Sequence, residues 1–260
     1  MAVALQHLIV EDALPAVLIT LNRPEKMNAL SVALMRELSA ELERQAEREE
    51  IAVIVLRGAG RAFSAGHDLG ELVARTIDEE RQVFQECERL MALVQSVPQP
   101  VIASVHGIAT AAGCQLVAAC DLAIASSEAR FATNGIRNGI FCYTPMVPVS
   151  RAIGRKRALE MVLTGSFIDA ATAERWGLVN RVVAPGDLDE AVLELAREIG
   201  SLPPVAVRSG KAAFYAQVDL PQSEAYPLMT EAIAADAMTE DAQEGMQAFL
   251  QKRKPAWKGR

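Results

Sequence analysis

The chain has 260 residues, 51% of them hydrophobic and 23% charged, with a formal net charge of −7. This length accommodates one domain with a sizeable core. The sequence contains no run of about twenty apolar residues, so no membrane span is expected, and the acidic balance argues against nucleic acid as a partner.

The N-terminal part alternates predicted strands with helices. Ser31 is a suitable N-cap, with leucines and a methionine at helical spacing behind it. The continuous apolar run that begins at Ile51 is typical of a strand buried on both faces of a parallel sheet. The predicted elements are strands at about 8–11, 16–21 and 51–56 and helices at about 32–48 and 78–95.

The segment 100–126 is the most informative part of the chain. It predicts a buried strand at Val101–Val105, small residues at 109–113, a helix at 114–119 and a second strand at 122–125. Small side chains at a helix start let a ligand approach unpaired N–H groups, which favour an anion or a carbonyl oxygen that gains negative charge. Tight packing of a helix on a sheet, with nothing bound, explains the same residues equally well.

Beyond residue 126 the chain becomes mainly helical. An irregular segment at 126–143 precedes the helices, and the last strand is predicted at 179–183. Alternation of strands and helices up to about residue 183 indicates an α/β fold. The predicted helices span about 145–153, 156–163, 170–176, 188–201, 204–216 and 226–252.

Two turns of small residues form one candidate site. One runs from Ser64 to His67, and the other from Ala111 to Gly113. If the strands before them are neighbours, both turns lie at the same sheet edge, and two backbone N–H groups can converge on one oxygen. Each donor of such an oxyanion hole contributes on the order of 10²–10³ in rate.

Six motifs together resemble the crotonase (enoyl-CoA hydratase/isomerase) superfamily. They are LNRPEKMNAL at 21–30, FSAGHDL at 63–69, ASVHGIATAAGCQLVAACDLAIAS at 103–126, MVLTG at 161–165, GLVNRVV at 177–183 and EGMQAFLQKRKPAW at 244–257. The resemblance implies an α/β, crotonase/ClpP-like spiral of ββα units over 1–200 and a C-terminal helical oligomerisation region over 201–260. It also implies a homotrimer or dimer of trimers in acyl-CoA metabolism, whose coenzyme A belongs to the thioester substrate.

The resemblance also assigns residue roles. The N–H groups of His67 and Ala112 match the oxyanion donors that polarise the thioester carbonyl and stabilise its enolate. Phe249 and Lys252 match residues that reach the coenzyme A of a neighbouring subunit, although a solvated tail is the alternative for the basic cluster 252–254 with Lys258 and Arg260. The other residues assigned to the acyl-CoA site are Arg23, Lys26, Ala65, Gly66, Asp68, Leu69, Gly113 and Gly135.

Two departures from the family pattern bear on the reaction. Gln115 stands where hydratases carry one catalytic Glu, and Gly135 stands at the position of the second. Hydration requires groups that deliver and remove a proton. An amide cannot exchange a proton near neutral pH, although it can orient a water or a carbonyl. Ordinary two-carboxylate hydration is therefore not expected.

The remaining candidate side chains leave alternatives open. Cys142 is a nucleophile only if its pKa is lowered, and otherwise it lines the site. Tyr143 is either a hydrogen-bond donor or an aromatic core residue. The His67 imidazole is either a general base or a cap on the pocket. Three functions follow: a lyase or isomerase on acyl-CoA, a decarboxylase or thioesterase using the same oxyanion hole, and a non-catalytic acyl-CoA-binding protein.

The cysteine content indicates the compartment. Cys87, Cys114, Cys120 and Cys142 show no CxxC spacing, and with only three histidines no metal site is expected. The N-terminal residues show no basic stretch followed by an apolar one, so no secretory signal is predicted. The cysteines are expected to be reduced, and the protein is predicted to be cytoplasmic.

Overall fold

The computed structural model describes residues 2–259, so Arg260 of the predicted basic cluster lies outside the described residues. Strands are β1 Ala2–Ala4, β2 Leu8–Ala13, β3 Ala16–Leu21, β4 Val53–Gly58, β5 Ala62–Ser64, β6 Val101–Val105, β7 Ile108–Thr110, β8 Leu122–Ser126, β9 Arg130–Ala132, β10 Ile168–Asp169 and β11 Arg181–Val183. Helices are α1 Val32–Ala46, α2 Ile77–Ser96, α3 Ala112–Ala119, α4 Met146–Ile153, α5 Arg155–Thr164, α6 Ala170–Trp176, α7 Leu188–Gly200, α8 Pro204–Gln217, α9 Gln222–Asp236 and α10 Glu240–Leu250.

The strands form two sheets through a repeated unit. The larger sheet has the order β1-β2-β3-β4-β6-β8-β11, and the smaller has the order β10-β9-β7-β5. Three successive strand pairs each place their first member (β4, β6, β8) in the larger sheet and their second member (β5, β7, β9) in the smaller one. Because α2 and α3 follow the first two pairs, the chain winds as ββα units.

The larger sheet is covered on both faces. Val53 and Val55 of β4 pack with residues of α7 such as Val192, whereas Ile54 and Leu56 belong to the main core with α1, α2 and α3. All four strand residues are at most 1% exposed. This confirms that the continuous apolar run is a strand buried on both faces, because alternate side chains point to opposite sides of a sheet.

Two predictions for irregular or helical segments were wrong. The structure has the three-residue strands β7 and β9, where the sequence predicts small residues before a helix and irregular chain, respectively. The single helix predicted at 226–252 is two helices, because the Thr239 side chain accepts a hydrogen bond from Ala242 N and caps α10. A Thr followed by acidic residues is an N-cap signal that the continuing apolar pattern obscured.

Other helix starts follow the sequence closely. Ser31 Oγ accepts from Leu34 N at 3.2 Å, as predicted, and Thr76 with Glu79 forms a capping box for α2. Within residues 2–259 no helix is both long and apolar enough to cross a membrane. The division into 1–200 and 201–260 stays a prediction.

Candidate active site

The small sheet brings three turns to one edge. β7 pairs in parallel with β5 on one side and with β9 on the other. The turns that follow these strands begin at Ala65, Ala111 and Thr133. Since carboxyl ends of neighbouring parallel strands meet at the same edge, the three turns are adjacent, which is the usual place for a ligand site in parallel sheets.

Close backbone contacts join the first two turns. Thr110 Oγ1 donates to Ala65 O at 3.1 Å. Gly66 has a φ of +92°, and a Cβ on it would lie 3.2 Å from Ala112 N. A Cβ on Gly113 would lie 2.3 Å from Ser64 O. Only glycine allows this approach, so the predicted substrate-site positions Gly66 and Gly113 serve the packing of the two turns against each other.

Ala111 carries unusual backbone angles at the start of α3. Its φ is 49° and its ψ is −118°, and its N–H donates to Ala132 O at 2.9 Å. Sparsely populated angles of this kind cost on the order of 1–3 kcal/mol for a residue with a side chain, and they cluster at functional sites. The conformation sets the first N–H of α3, that of Ala112, at the cavity described next.

The N–H groups of His67 and Ala112 are both unpaired. A bridge fixes residues 66–68, in which Leu30 N donates to Gly66 O at 2.7 Å and Asp68 N donates to Leu30 O at 3.3 Å. The His67 N–H between them donates to no residue of the described chain, and neither does that of Ala112. Buried N–H groups are normally paired, so two unpaired ones beside one cavity suit an external acceptor.

A cavity of about 380 Å³ opens at these turns. Seven of the predicted site residues line it, and the structure adds others that the sequence analysis missed, among them Phe84 from the inner face of α2. No Asp, Glu, Lys or Arg is among the lining residues. The lining consists of Ala65, His67, Leu69, Leu72, Phe84, Ala111, Ala112, Asn134, Gly135, Asn138, Ile140, Phe141, Cys142, Tyr143, Thr144 and Pro145.

The His67 ring is a neutral wall of the cavity. It meets the Phe84 ring edge to face, with centroids 5.2 Å apart. Both ring nitrogens are buried and have no hydrogen-bond partner. Burial lowers the pKa of His67 to about 4, because the charged form loses its hydration. Of the two predicted roles for the His67 side chain, this arrangement favours a cap on the pocket over a general base.

The two positions of the family glutamates are not brought together in this cavity. Gln115 is 3% exposed and borders a different cavity, where its Oε1 accepts from the Cys87 thiol at 3.8 Å. Gly135 lines the main cavity, but a Cβ on it would lie 2.6 Å from Ile140 O and 3.0 Å from Cys142 Sγ. The loop therefore occupies the space that a side chain at position 135 would need.

Cys142 and Tyr143 lie on this same loop. Cys142 Sγ accepts from Gly135 N at 3.3 Å, and burial raises the pKa of its thiol. A protonated thiol is a weak nucleophile, so the lining role is favoured. Tyr143 is 66% exposed, and its ring lies 5.1 Å from that of Phe141. The alternative that Tyr143 is a core residue is wrong, because it stands at the mouth of the cavity.

The remaining predicted residues lie around the cavity. Arg23 Nη2 is 3.0 Å from Asp68 Oδ2, and its Nη1 donates to Ala29 O at 2.8 Å, so this ion pair holds together the loops before α1 and after β5. Lys26 is exposed nearby at the end of a short 3₁₀ turn. Phe249 and Lys252 are exposed and do not line the cavity, and their predicted contact with a neighbouring subunit stays a prediction.

The chain is similar to known proteins over most of its length. The family model for "Enoyl-CoA hydratase/isomerase" matches residues 15–260. Enoyl-CoA hydratase domain-containing protein 3, mitochondrial, of Rattus norvegicus is 45% identical over 240 residues, which are 92% of this chain and 80% of that relative. The 2,3-dehydroadipyl-CoA hydratase of Escherichia coli (strain K12) is 37% identical over 262 residues, which are 98% of this chain and 100% of that relative.

The fold prediction is confirmed by solved structures. The crystal structure of an enoyl-CoA hydratase from Mycobacterium smegmatis has a TM-score of 0.95 and 46% sequence identity, and the match covers 97% of this chain and 99% of that one. A chain this similar in sequence and backbone shares its fold, so the α/β spiral that the motifs implied is the fold of this protein.

Proposed function

This chain belongs to the enoyl-CoA hydratase/isomerase family, and we propose that it is an acyl-CoA lyase or isomerase that stabilises a thioester enolate between two backbone N–H groups. The donors are His67 and Ala112. The observation that carries the proposal is that both N–H groups lack an acceptor in the described chain and come from adjacent turns beside one cavity.

The proposed chemistry begins at the thioester carbonyl. The two N–H groups donate to its oxygen, and when a bond at Cα or its proton is lost, the electron pair moves onto that oxygen as an enolate. Preorganised donors in a water-poor cavity stabilise such charge more strongly than water does. Ala65 and Leu69 line the same cavity and are proposed to contact the coenzyme A part, with Arg23, Lys26 and Asp68 on the adjoining loops.

Two-carboxylate hydration is not proposed. The cavity lining has no carboxylate, Gln115 faces the adjoining cavity, and Gly135 is crowded by its own loop. The groups left to orient substrate or water are the Tyr143 hydroxyl, the Cys142 thiol and the amides of Asn134 and Asn138. Gln115 is proposed to orient a polar group only from the adjoining cavity, which it lines. A Gln115→Glu variant should therefore show no strong hydration while Gly135 is unchanged.

Decarboxylation of a carboxylated acyl-CoA is the second candidate. No lysine or arginine lines the cavity, so a bound carboxylate would face mostly apolar walls, and its loss as CO₂ would leave the electron pair in the enolate held by His67 and Ala112. A proton then adds to Cα. Thioester hydrolysis through an oriented water and simple acyl-CoA binding without turnover remain as further candidates.

Assembly and location are also proposals. Exposed apolar side chains on α10, with Phe249 at 83% and Leu250 at 79%, support burial against another copy in a homotrimer or dimer of trimers. Size-exclusion chromatography with light scattering tests this. The four free cysteines support a reducing compartment, and we propose the cytoplasm, although the rat relative is named mitochondrial. Fluorescence imaging of the tagged protein in its source cells distinguishes the two.

Removing one N–H group tests the oxyanion hole. Ala112→Pro deletes the donor at the first residue of α3, the helix position that accepts proline most readily, and it also adds strain at Ala111, whose φ is 49° and ψ is −118°. Turnover of the accepted acyl-CoA should fall by about 10²–10³. Ala170→Pro at the first residue of α6, outside the cavity, controls for proline at a helix start, and Ala111→Gly in the Ala112→Pro background relieves the strain at the preceding residue and should not restore the rate. Circular dichroism confirms folding, and an undiminished rate in folded Ala112→Pro would contradict the proposal.

A panel of acyl-CoAs identifies the reaction, with products separated by chromatography. Turnover of 2-enoyl-CoA supports the lyase or isomerase. Turnover of malonyl-type thioesters supports decarboxylation, and release of coenzyme A from saturated thioesters supports hydrolysis. Binding of acyl-CoA without any turnover supports the non-catalytic function.

A further inference from the structure

A cavity of about 290 Å³ lies where α7 begins over the larger sheet, and we call it the sheet-face cavity. Its floor comes from the carboxyl ends of β3, β4 and β6, and its rim comes from the turn before α7. The carboxyl ends of neighbouring parallel strands are the usual place for a ligand site in such sheets. No described residue lines both this cavity and the main one. The lining consists of Thr20, Arg57, Gly58, Ser104, His106, Pro185, Gly186, Leu188 and Asp189.

Three polar side chains form a row on the floor of the sheet-face cavity. Thr20 is paired with Arg57 in the parallel register of β3 and β4. The pairing of Leu56 with Ala103 places Ser104 beside Arg57 on the other side. Each of the three lies two residues after a side chain that packs with α7, so all three point toward α7. The floor is therefore polar at the point where the apolar packing under α7 ends.

The floor offers hydrogen-bond donors without acceptors. Ser104 is 3% exposed, and its hydroxyl makes no hydrogen bond within the described chain. Thr20 Oγ1 accepts from Arg57 Nε at 2.8 Å, but its own proton goes to no described acceptor. Arg57 Nη2 donates to Glu11, whereas Nη1 donates to no described residue. Buried polar groups normally have a partner, so open groups that line one cavity suit an external ligand.

Free acceptors complete the lining. Asp189, on the first turn of α7, is exposed, and its carboxylate makes no hydrogen bond or ion pair within the described chain. His106 Nε2 lies 2.8 Å from Gly60 O. Only a protonated nitrogen donates to a carbonyl, so Nδ1 of the neutral ring is left as an acceptor. Because Glu11 compensates the charge of Arg57, an anion would meet one free carboxylate and no uncompensated cation in the described lining.

We propose that the sheet-face cavity binds a small uncharged polyol or monosaccharide. Each hydroxyl group of such a molecule both donates and accepts, so it matches donors at Ser104 and Arg57 and acceptors at Asp189 and His106. The volume is at the small end of ligand pockets, which span about 300–1,000 Å³, and a single sugar ring suits that size. The inference does not depend on the proposed function, because the two cavities share no described residue.

Calorimetric titration with D-glucose, D-ribose, myo-inositol and glycerol tests the inference. At least one of these four probes should bind with a dissociation constant of about 1 mM or below. Ser104→Ala should weaken that binding by about fivefold, because one hydrogen bond is lost. Asp189→Ala should weaken it by about tenfold, because hydrogen bonds to a charged group are stronger. Both variants should fold like the wild type, since the Ser104 hydroxyl has no partner and Asp189 is exposed.

Two matched controls make the test specific. Ser39→Ala removes another buried hydroxyl without a partner, on α1 and outside the cavity. Asp187→Ala removes an exposed carboxylate from the turn before α7 that does not line the cavity. Both controls should leave probe binding within about twofold of the wild type.

Three outcomes would overturn the inference. The first is that none of the four probes binds at about ten times the expected dissociation constant. The second is binding that stays unchanged in both Ser104→Ala and Asp189→Ala. The third is tighter binding of inorganic phosphate or of glycine than of all four probes, which would assign a charged ligand to the cavity. Acyl-CoA turnover should be the same in all variants, so these results are distinguishable from a failure of the proposed function.

Discussion

Two buried polar regions of this molecule differ in how their hydrogen bonds are used. Under α8, Lys211 Nζ contacts Asp121 Oδ2 at 2.7 Å and donates to the carbonyls of Val94 and Gln99 at 3.0 and 2.9 Å. Asp121 also accepts from Tyr215 Oη at 2.8 Å and from Val101 N at 2.6 Å. In the main cavity, by contrast, both ring nitrogens of His67 and two backbone N–H groups have no partner in the described chain.

The difference separates a structural region from one available to a ligand. A buried polar group without a partner costs about 1–3 kcal/mol, so a fold normally pairs such groups, as it does under α8. In the main cavity the backbone N–H groups of His67 and Ala112 stay unpaired within the described chain, and under the proposed function an acyl-CoA carbonyl supplies their acceptor. Substitutions should therefore act on stability in the first region, and on ligand binding or pH dependence in the second.

The largest effect is expected for Lys211→Met. It leaves Asp121 as an uncompensated buried charge and two carbonyls unpaired, so the free energy of unfolding should fall by about 3–5 kcal/mol. Urea unfolding followed by circular dichroism measures it. Lys211→Arg, which keeps a cation, should lose less, and equal losses for the two variants would contradict the role assigned to the charge.

The next largest effect is the pH dependence of the free energy of unfolding that His67 causes. Its folded pKa of about 4 lies below the ordinary value of 6.5, so below about pH 6.5 the unfolded chain binds a proton that the folded chain does not. The wild type should therefore lose up to about 3 kcal/mol of stability between about pH 6.5 and 4 through this group. Urea unfolding should show a shallower pH profile for His67→Phe. Parallel profiles for the two proteins would contradict burial of a neutral ring.

Gly66→Ala should disturb the site more than the fold. The added Cβ would lie 2.8 Å from Ala111 Cβ at a φ of +92°, so we expect a cost of about 1–3 kcal/mol and a displaced Ala112 N–H. Gly177→Ala is the matched control, since its φ is +89° but its nearest atom is 3.4 Å away. Both should lower the melting temperature, and only Gly66→Ala should weaken acyl-CoA binding. Equal binding would contradict the contact between the two turns.

The smallest effect compares two buried threonines. Thr133 Oγ1 has no partner, whereas Thr20 Oγ1 accepts from Arg57 Nε at 2.8 Å. Thr133→Val should be neutral or stabilise by up to about 1 kcal/mol, and Thr20→Val should destabilise by about 1 kcal/mol. Chemical denaturation measures both. Destabilisation of Thr133→Val by as much as Thr20→Val would show that Thr133 is paired.

Local sequence signals predicted most of the secondary structure. The buried strand at Val101–Val105, the helix at Ala170–Trp176 and the cap at Ser31 follow from apolar periodicity and capping chemistry, which act within a few residues. Strands β7 and β9 could not be predicted because three residues are too few to show the alternation of apolar and polar side chains. They are formed by pairing with each other, with β5 and with β10.

By itself the sequence determined the family, the α/β class and the two small-residue turns, because those depend on residue types at fixed spacings. Only the tertiary structure decided that Gln115 faces a second cavity, that Gly135 is enclosed by Ile140 and Cys142, and that Phe84 packs on His67. The contacts of Gln115 and Phe84 join different helices and turns, and that of Gly135 depends on how its own loop folds back. Which side chains share a cavity is set by how the sheets and helices pack, and no local pattern along the chain encodes it.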